Sequence, residues 1–189
     1  MRCDVVYPAL MAHIGDFFAG HRLDDFIWTL GPTQQVLPRF RVVRVAPGPK
    51  TGYWVYLSVG AWEIDHDAQN GLEFMITAPE ESPRHVELLA MTAYYHRDLQ
   101  LGLGHTFPIG YGWVEGSACD HMLVSLPYPF GPKLEVCSLD DGSQVRFLWL
   151  LPITAAEKRF RHEHGLEELE KRFDDAEIEF ASPSRQSVV

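Results

Sequence analysis

Cysteine is scarce: Cys3, Cys119 and Cys137 are the three in 189 residues, and no two form a Cys-x-x-Cys pair. An odd, widely spaced set excludes a disulfide framework and a four-cysteine zinc site. It fits free thiols in a reducing compartment. Basic residues are also in deficit, 16 Lys and Arg against 26 Asp and Glu, for a net charge of −10. Such a surface lacks the cationic footprint that nucleic acid and anionic membranes require, and it suits a basic partner. No run approaches the ~18 consecutive apolar residues of a membrane span. The first residues, from Met1 to Pro8, hold no apolar stretch long enough for a signal peptide. The expectation is a cytoplasmic protein without internal repeats or low-complexity segments.

Catalytic signatures are missing too. There is no Gly-x-Ser-x-Gly elbow and no phosphate-binding loop. The glycines between Gly102 and Gly116 follow a helix instead of joining a strand to one, so they make no dinucleotide fingerprint. Nine histidines are present, yet none stands in a His-Glu-x-x-His pattern, and His162 and His164 point to different helical faces. A metal-dependent hydrolase would have to assemble a site from distant His66, His96, His105 and His121 and nearby carboxylates; it stays open as an alternative. Cys119-Asp120-His121 sets three reactive types side by side. Nucleophile, base and orienter normally arrive from separate segments, so adjacency is no triad. Glu63 and Glu73 could be named as paired carboxylates for glycoside hydrolysis, but so could many other acids. No catalytic residue, metal or cofactor is expected.

What is present reads as an α+β domain, a twisted mixed or antiparallel sheet with helices packed on it. A chain of this size buries roughly 70% of its unfolded surface and stands without cross-links. One domain over residues 1–180 is expected, with 181–189 a flexible tail. Its organising stretch runs from Tyr53 to Leu103. Two runs rich in Val, Ile, aromatics and Thr, Tyr53–Val59 and Leu72–Thr77, predict strands. A helix follows from Arg84 to about Leu101, with Ser82 as N-cap, Pro83 at its first position and Gly102 beyond its end. Apolar spacing predicts a helix over 7–20, with Pro8 in its first turn. Thr154-Ala-Ala-Glu157 is a capping box that opens a helix over 155–172, interrupted near Gly165. A short strand or turn is expected at 24–30, closed by a turn at Gly31-Pro32, and strands at 40–45, 121–126, 133–137 and 145–151, the first of these an edge strand guarded by arginines.

The residues from 53 to 103 resemble the suppressor-of-fused (SUFU) domain family, in its short bacterial form. The motifs are Trp54-Val-Tyr56-Leu-Ser58-Val-Gly60-Ala-Trp62-Glu63, Gly71-Leu-Glu73-Phe74, Glu87-Leu88-Leu89 and Gly104-His105. A second match runs from His121 through Gly142 and Val145 to Pro152-Ile-Thr154 and Glu157. Together they cover about residues 50–160 in the family's order. The resemblance implies a protein-binding domain and no enzyme. Animal relatives clamp an extended peptide of a transcription factor between two lobes, and this chain is too short for the second lobe. Short bacterial members imply an immunity protein that neutralises a toxin by binding it. A peptide-binding adaptor for a cellular partner is the other binding alternative. The partner is expected to be a toxin domain or extended peptide, a basic one suiting the acidic surface, with no role for nucleic acid or membrane. Family positions place the contact site at Tyr56, Trp62, Glu63 and Glu73, with Asp65 and Asp67 in the adjoining acidic loop. Alternation along strands would turn about half of such side chains inward, so core is the favoured reading of Tyr56 and Trp62. Glu73, inside an apolar run, is expected either to pair with an arginine or to stand exposed on a recognition face.

Overall fold

The computed structural model describes residues 2–65, 67 and 69–189, without the side chains of Arg2 and Cys3. In chain order the first elements are α1 (Arg2–Phe17), β1 (Leu23–Ile27), α2 (Gly31–Val36), β2 (Arg41–Val45) and β3 (Trp54–Val59). A 3-10 turn (Ala61–Ile64) leads to β4 (Asn70–Ala78), α3 (Pro83–Leu99), β5 (Thr106–Pro108) and β6 (His121–Ser125). The chain closes with α4 (Pro132–Glu135), β7 (Val136–Ser138), β8 (Gln144–Ile153), α5 (Ala155–His164) and α6 (Leu166–Asp175). The expected α+β class holds: the strands form a mixed sheet in the order β1-β2-β3-β4-β8-β6-β5, and β7 also pairs β8.

The local signals explain most boundaries. Ser82 accepts a hydrogen bond from the Arg84 amide and Pro83 occupies the first turn of α3. The helix stops at Gln100, in the left-handed region at φ 44, two residues before the glycine that the sequence suggests. The capping box of α5 is complete, and the helix breaks at Gly165, whose φ of 95 suits only glycine.

Four departures have physical reasons. Helix α1 begins at Arg2 and runs through Pro8, which removes one backbone donor without ending the helix. Pro32 opens α2 where a closing turn is expected. Residues 133–137 split between α4, started by Pro132, and the short β7. Strand β2 is internal, between β1 and β3. Its arginines pair across to β1: Arg44 Nη2 lies 2.8 Å from Asp24 Oδ2, and Arg41 Nη1 lies 2.8 Å from Asp25 Oδ2. They hold a neighbour instead of repelling one.

Two compact units divide the chain, residues 1–101 with 126–149, and residues 102–125 with 150–189. In the first, β1 to β4 run antiparallel and β4 pairs the start of β8 in parallel, Phe74 opposite Leu148. Its core includes Leu10, Ile14, Phe18, Phe40, Leu57 and Phe74, all fully buried. In the second, β5 and β6 pair antiparallel, and Trp113, Leu169 and Phe173 are buried. The segment 181–189, expected to fray, carries Arg185, which is 8% exposed. Its guanidinium meets both Glu157 oxygens, at 2.6 and 2.8 Å, and donates to the Pro152 carbonyl at 2.9 Å. Burial pushes the Glu157 carboxyl upward, but the Arg185 hydrogen bonds outweigh it and hold the group below its ordinary value.

Candidate functional site

Beyond Val59 the chain turns sharply at Gly60, φ 122, into the 3-10 turn. A Cβ at Gly60 would sit 2.5 Å from the Tyr7 hydroxyl, so glycine is required there twice over. Glu73 holds this turn from below. Its carboxylate accepts from the Ser58 hydroxyl, from Gly60 N at 2.6 Å and, more weakly, from Trp62 N at 3.5 Å. Ser58 Oγ in turn accepts from Phe74 N at 2.8 Å. Burial raises the Glu73 carboxyl to about 7, and these hydrogen bonds only partly offset the rise. Asp65 fastens the far side of the loop. One oxygen meets His96 Nε2 at 2.7 Å, and the other accepts from Leu72 N at 2.7 Å. Trp62 packs edge-on against Tyr7, with centroids 6.2 Å apart. Glu63 is half-buried beside Tyr7, whose phenol is driven far upward by burial and by that carboxylate. Asp67 is exposed and accepts from Gln69 N and Asn70 Nδ2, both at 2.8 Å. Among the six predicted site residues, then, Trp62, Glu63, Asp65 and Glu73 gather at this turn. They are mostly its internal supports.

Tyr56 stands toward the opposite end of β3. It is buried, its oxygen accepts from Ser82 N at 3.0 Å, and its ring lies against His85 with centroids 5.0 Å apart. Burial, with Arg84 adding to it, pushes the His85 imidazole down to about 4, so it is neutral at pH 7. Above this pair opens a cleft of about 450 Å³ lined by Phe26, Trp28, Leu30, Tyr56, Val86 and Glu87, among others. One wall is β1, which has no second neighbour among the described residues. The register fixes what its outer edge offers. Trp28 N donates to Phe40 O and Ala46 N to Arg22 O, so the even-numbered residues bond inward to β2. Leu23, Asp25 and Ile27 therefore direct their amides and carbonyls outward. Ile27 is 59% exposed and Leu30 67%, with Phe26 also open. Strand-edge donors beside uncovered apolar groups are the features to which an extended polypeptide adds.

Known proteins of the same architecture bear on this geometry. The family described as Suppressor of fused protein (SUFU) matches residues 37–186. The chain belongs to the suppressor-of-fused family. A SUFU homolog from Neisseria gonorrhoeae, solved as a crystal structure, is 41% identical, with a TM-score of 0.85 and 97% of each chain covered. A Sufu chain solved in the Sufu–Fu complex shares the fold at 13% identity and TM-score 0.74, over 97% of this chain and 92% of that one. Drosophila Suppressor of Fused does so at 13% identity and TM-score 0.69; 97% of this chain covers 51% of that chain. Among curated proteins, none matches by sequence.

In this SUFU domain no group of three or more His, Cys, Asp or Glu side chains is placed to hold a metal ion among the described residues. His66 lies outside the described residues. His96 is committed to Asp65, His105 accepts from Gly102 N at 3.2 Å, and His121 meets its neighbour Asp120 at 2.7 Å. Cys119 faces Arg185 Nη2 at 3.4 Å while His121 pairs with Asp120, so the three adjacent reactive residues form no relay. Cys119 and Cys137 are free and buried, and burial raises both thiols. Among the described residues, no helix is long and apolar enough to cross a membrane.

The cleft residues Phe26, Trp28, Leu30 and Glu87 escape sequence reasoning. The run Asp24–Leu30 reads only as a short apolar strand, and Glu87 only as part of a family motif. An apolar run beside Gly31-Pro32 hints at a chain edge, but nothing in it tells whether the edge is covered.

Proposed function

We propose that this chain is a non-catalytic binding protein that neutralises a toxin domain by seating an extended segment of it along β1. The observation that carries the reading is the unpaired outer edge of β1 beside the 450 Å³ cleft. Main-chain hydrogen bonds to Leu23, Asp25 and Ile27 would supply affinity, and the cleft would supply selectivity. Burying one exposed side chain such as Ile27 or Leu30 contributes about 1.5–3 kcal/mol, enough for a few such anchors to matter. Family membership supports protein binding in general, and a protein of this fold occurs in a complex with Fu.

The six expected site residues, four from family positions and two from the acidic loop, divide in this reading. Tyr56 floors the cleft. Trp62, Asp65 and Glu73 act from beneath, fixing the 3-10 turn. Glu63 and Asp67 are steering charges for a basic partner, consistent with a net charge of −10. Co-expression with the product of the adjacent gene tests the toxin role. A stable complex and protection from toxicity are expected; absence of both removes it.

A further inference from the structure

The cleft has a neighbour. A second cavity of about 390 Å³ is lined by Pro32, Ala90, Met91, Tyr94 and Tyr95, among others. Trp28, Leu30 and Glu87 line both cavities. Two apolar hollows are thus separated by a partition that carries one carboxylate. Glu87 is 53% exposed at its side chain, with Arg84 Nη1 no closer than 3.8 Å. The cation on the cleft wall, Arg44, is already engaged by Asp24 at 2.8 Å and by Glu81. Negative charge at the partition is therefore met by one arginine at ion-pair distance, the largely buried Arg84, while the outer side of Glu87 stays open to solvent.

Resting on the β1 reading above, we infer that the bound segment has the pattern apolar-x-basic-x-apolar. Successive side chains of an extended chain alternate, so residues one, three and five of such a stretch share a face. The outer two enter the cavities beside Phe26 and Met91, and a central lysine or arginine meets Glu87. The intervening side chains point to solvent and carry no constraint. A charge pair at a half-exposed rim contributes modestly to affinity, but it discriminates sharply against an acidic residue at the same place.

The probe is an oriented library of short capped peptides, panned on the intact protein and on the variants Glu87→Lys, Glu87→Gln and Ile27→Pro. Far-ultraviolet circular dichroism confirms that each variant is folded. The expected result is enrichment of Lys or Arg between two apolar positions by the wild type. Glu87→Gln weakens that preference, and Glu87→Lys inverts it to Asp or Glu, with affinity for the original peptides down about tenfold. Ile27→Pro, which removes an outward amide without touching the inward ladder, abolishes enrichment. Apolar peptides with no central charge preference, selected alike by wild type and Glu87→Lys, overturn this inference and leave the edge reading standing. Unaltered selection by Ile27→Pro overturns the edge reading itself. No enrichment by the wild type overturns both.

Discussion

Past its Val59 end, strand β3 runs into a turn held by Glu73 and Asp65, whose carboxylates are satisfied from within the chain; the Ile27 end of edge strand β1, level with it two strands away, leaves Ile27, and Leu30 beyond, to solvent. The first end carries the acidic and aromatic residues that suggest recognition, and it uses them for construction. The second carries residues that suggest ordinary core, and it leaves them uncovered. Exposure, not residue type, separates a binding surface from its scaffold: a buried charge must be answered internally, whereas an exposed apolar group can wait for a partner.

Substitutions test that division. The upper limit comes from the second unit's closed cluster: Arg185→Ala leaves the buried Glu157 carboxylate without its cation, held by the Thr154 and Val188 amides, with an expected loss of about 3–5 kcal/mol in urea unfolding. In the first unit, Glu73 makes the closed end pH-sensitive. Its folded carboxyl titrates near 7 against an ordinary 4.5, so folding favours the protonated form. Its contribution is complete below the ordinary value and is lost as pH rises through 7, about 3 kcal/mol in all. Glu73→Gln, a neutral isostere that cannot ionise and still offers an oxygen to Gly60 N, should flatten the dependence of stability on pH between 5 and 8. An unchanged slope would assign it to another group.

The open end should respond in the other currency. Ile27→Pro is expected to change stability by less than about 1 kcal/mol while weakening partner binding about tenfold or more. Leu30→Ala should leave stability within about 0.5 kcal/mol and weaken binding several-fold. A large stability loss from either would move that residue from the surface to the core. The smallest effect is reserved for Asp67→Lys, which should slow association about twofold at low salt and scarcely at high salt. Asp65→Lys, by contrast, cannot serve as a charge probe, because it removes the partner of His96 and the acceptor of Leu72 N.

Much of this architecture is written locally. Ser82-Pro83, the Thr154–Glu157 capping box and Gly165 mark α3, α5 and the α5–α6 break by chemistry confined to a few neighbouring residues. The runs at 53–59 and 72–77 declare strands by composition, and β3 and β4 match them closely. The candidate site was less legible. Glu73 could be named as unusual, but its role depends on Ser58 and Gly60, which reach it across the β3–β4 pair and its connection. Arg41 and Arg44 look like an edge guard until β1 supplies Asp25 and Asp24.

The sequence by itself determined the α+β class, the principal helix boundaries and the family, because each rests on propensity, capping or an ordered motif. Only the tertiary structure decided that β1 is an open edge among the described residues, that Glu73 is internal and that Glu87 divides two cavities. Those facts depend on which segments come to lie beside one another. Alternation along a strand reports two faces, but not which of them, or which edge, another part of the chain will cover.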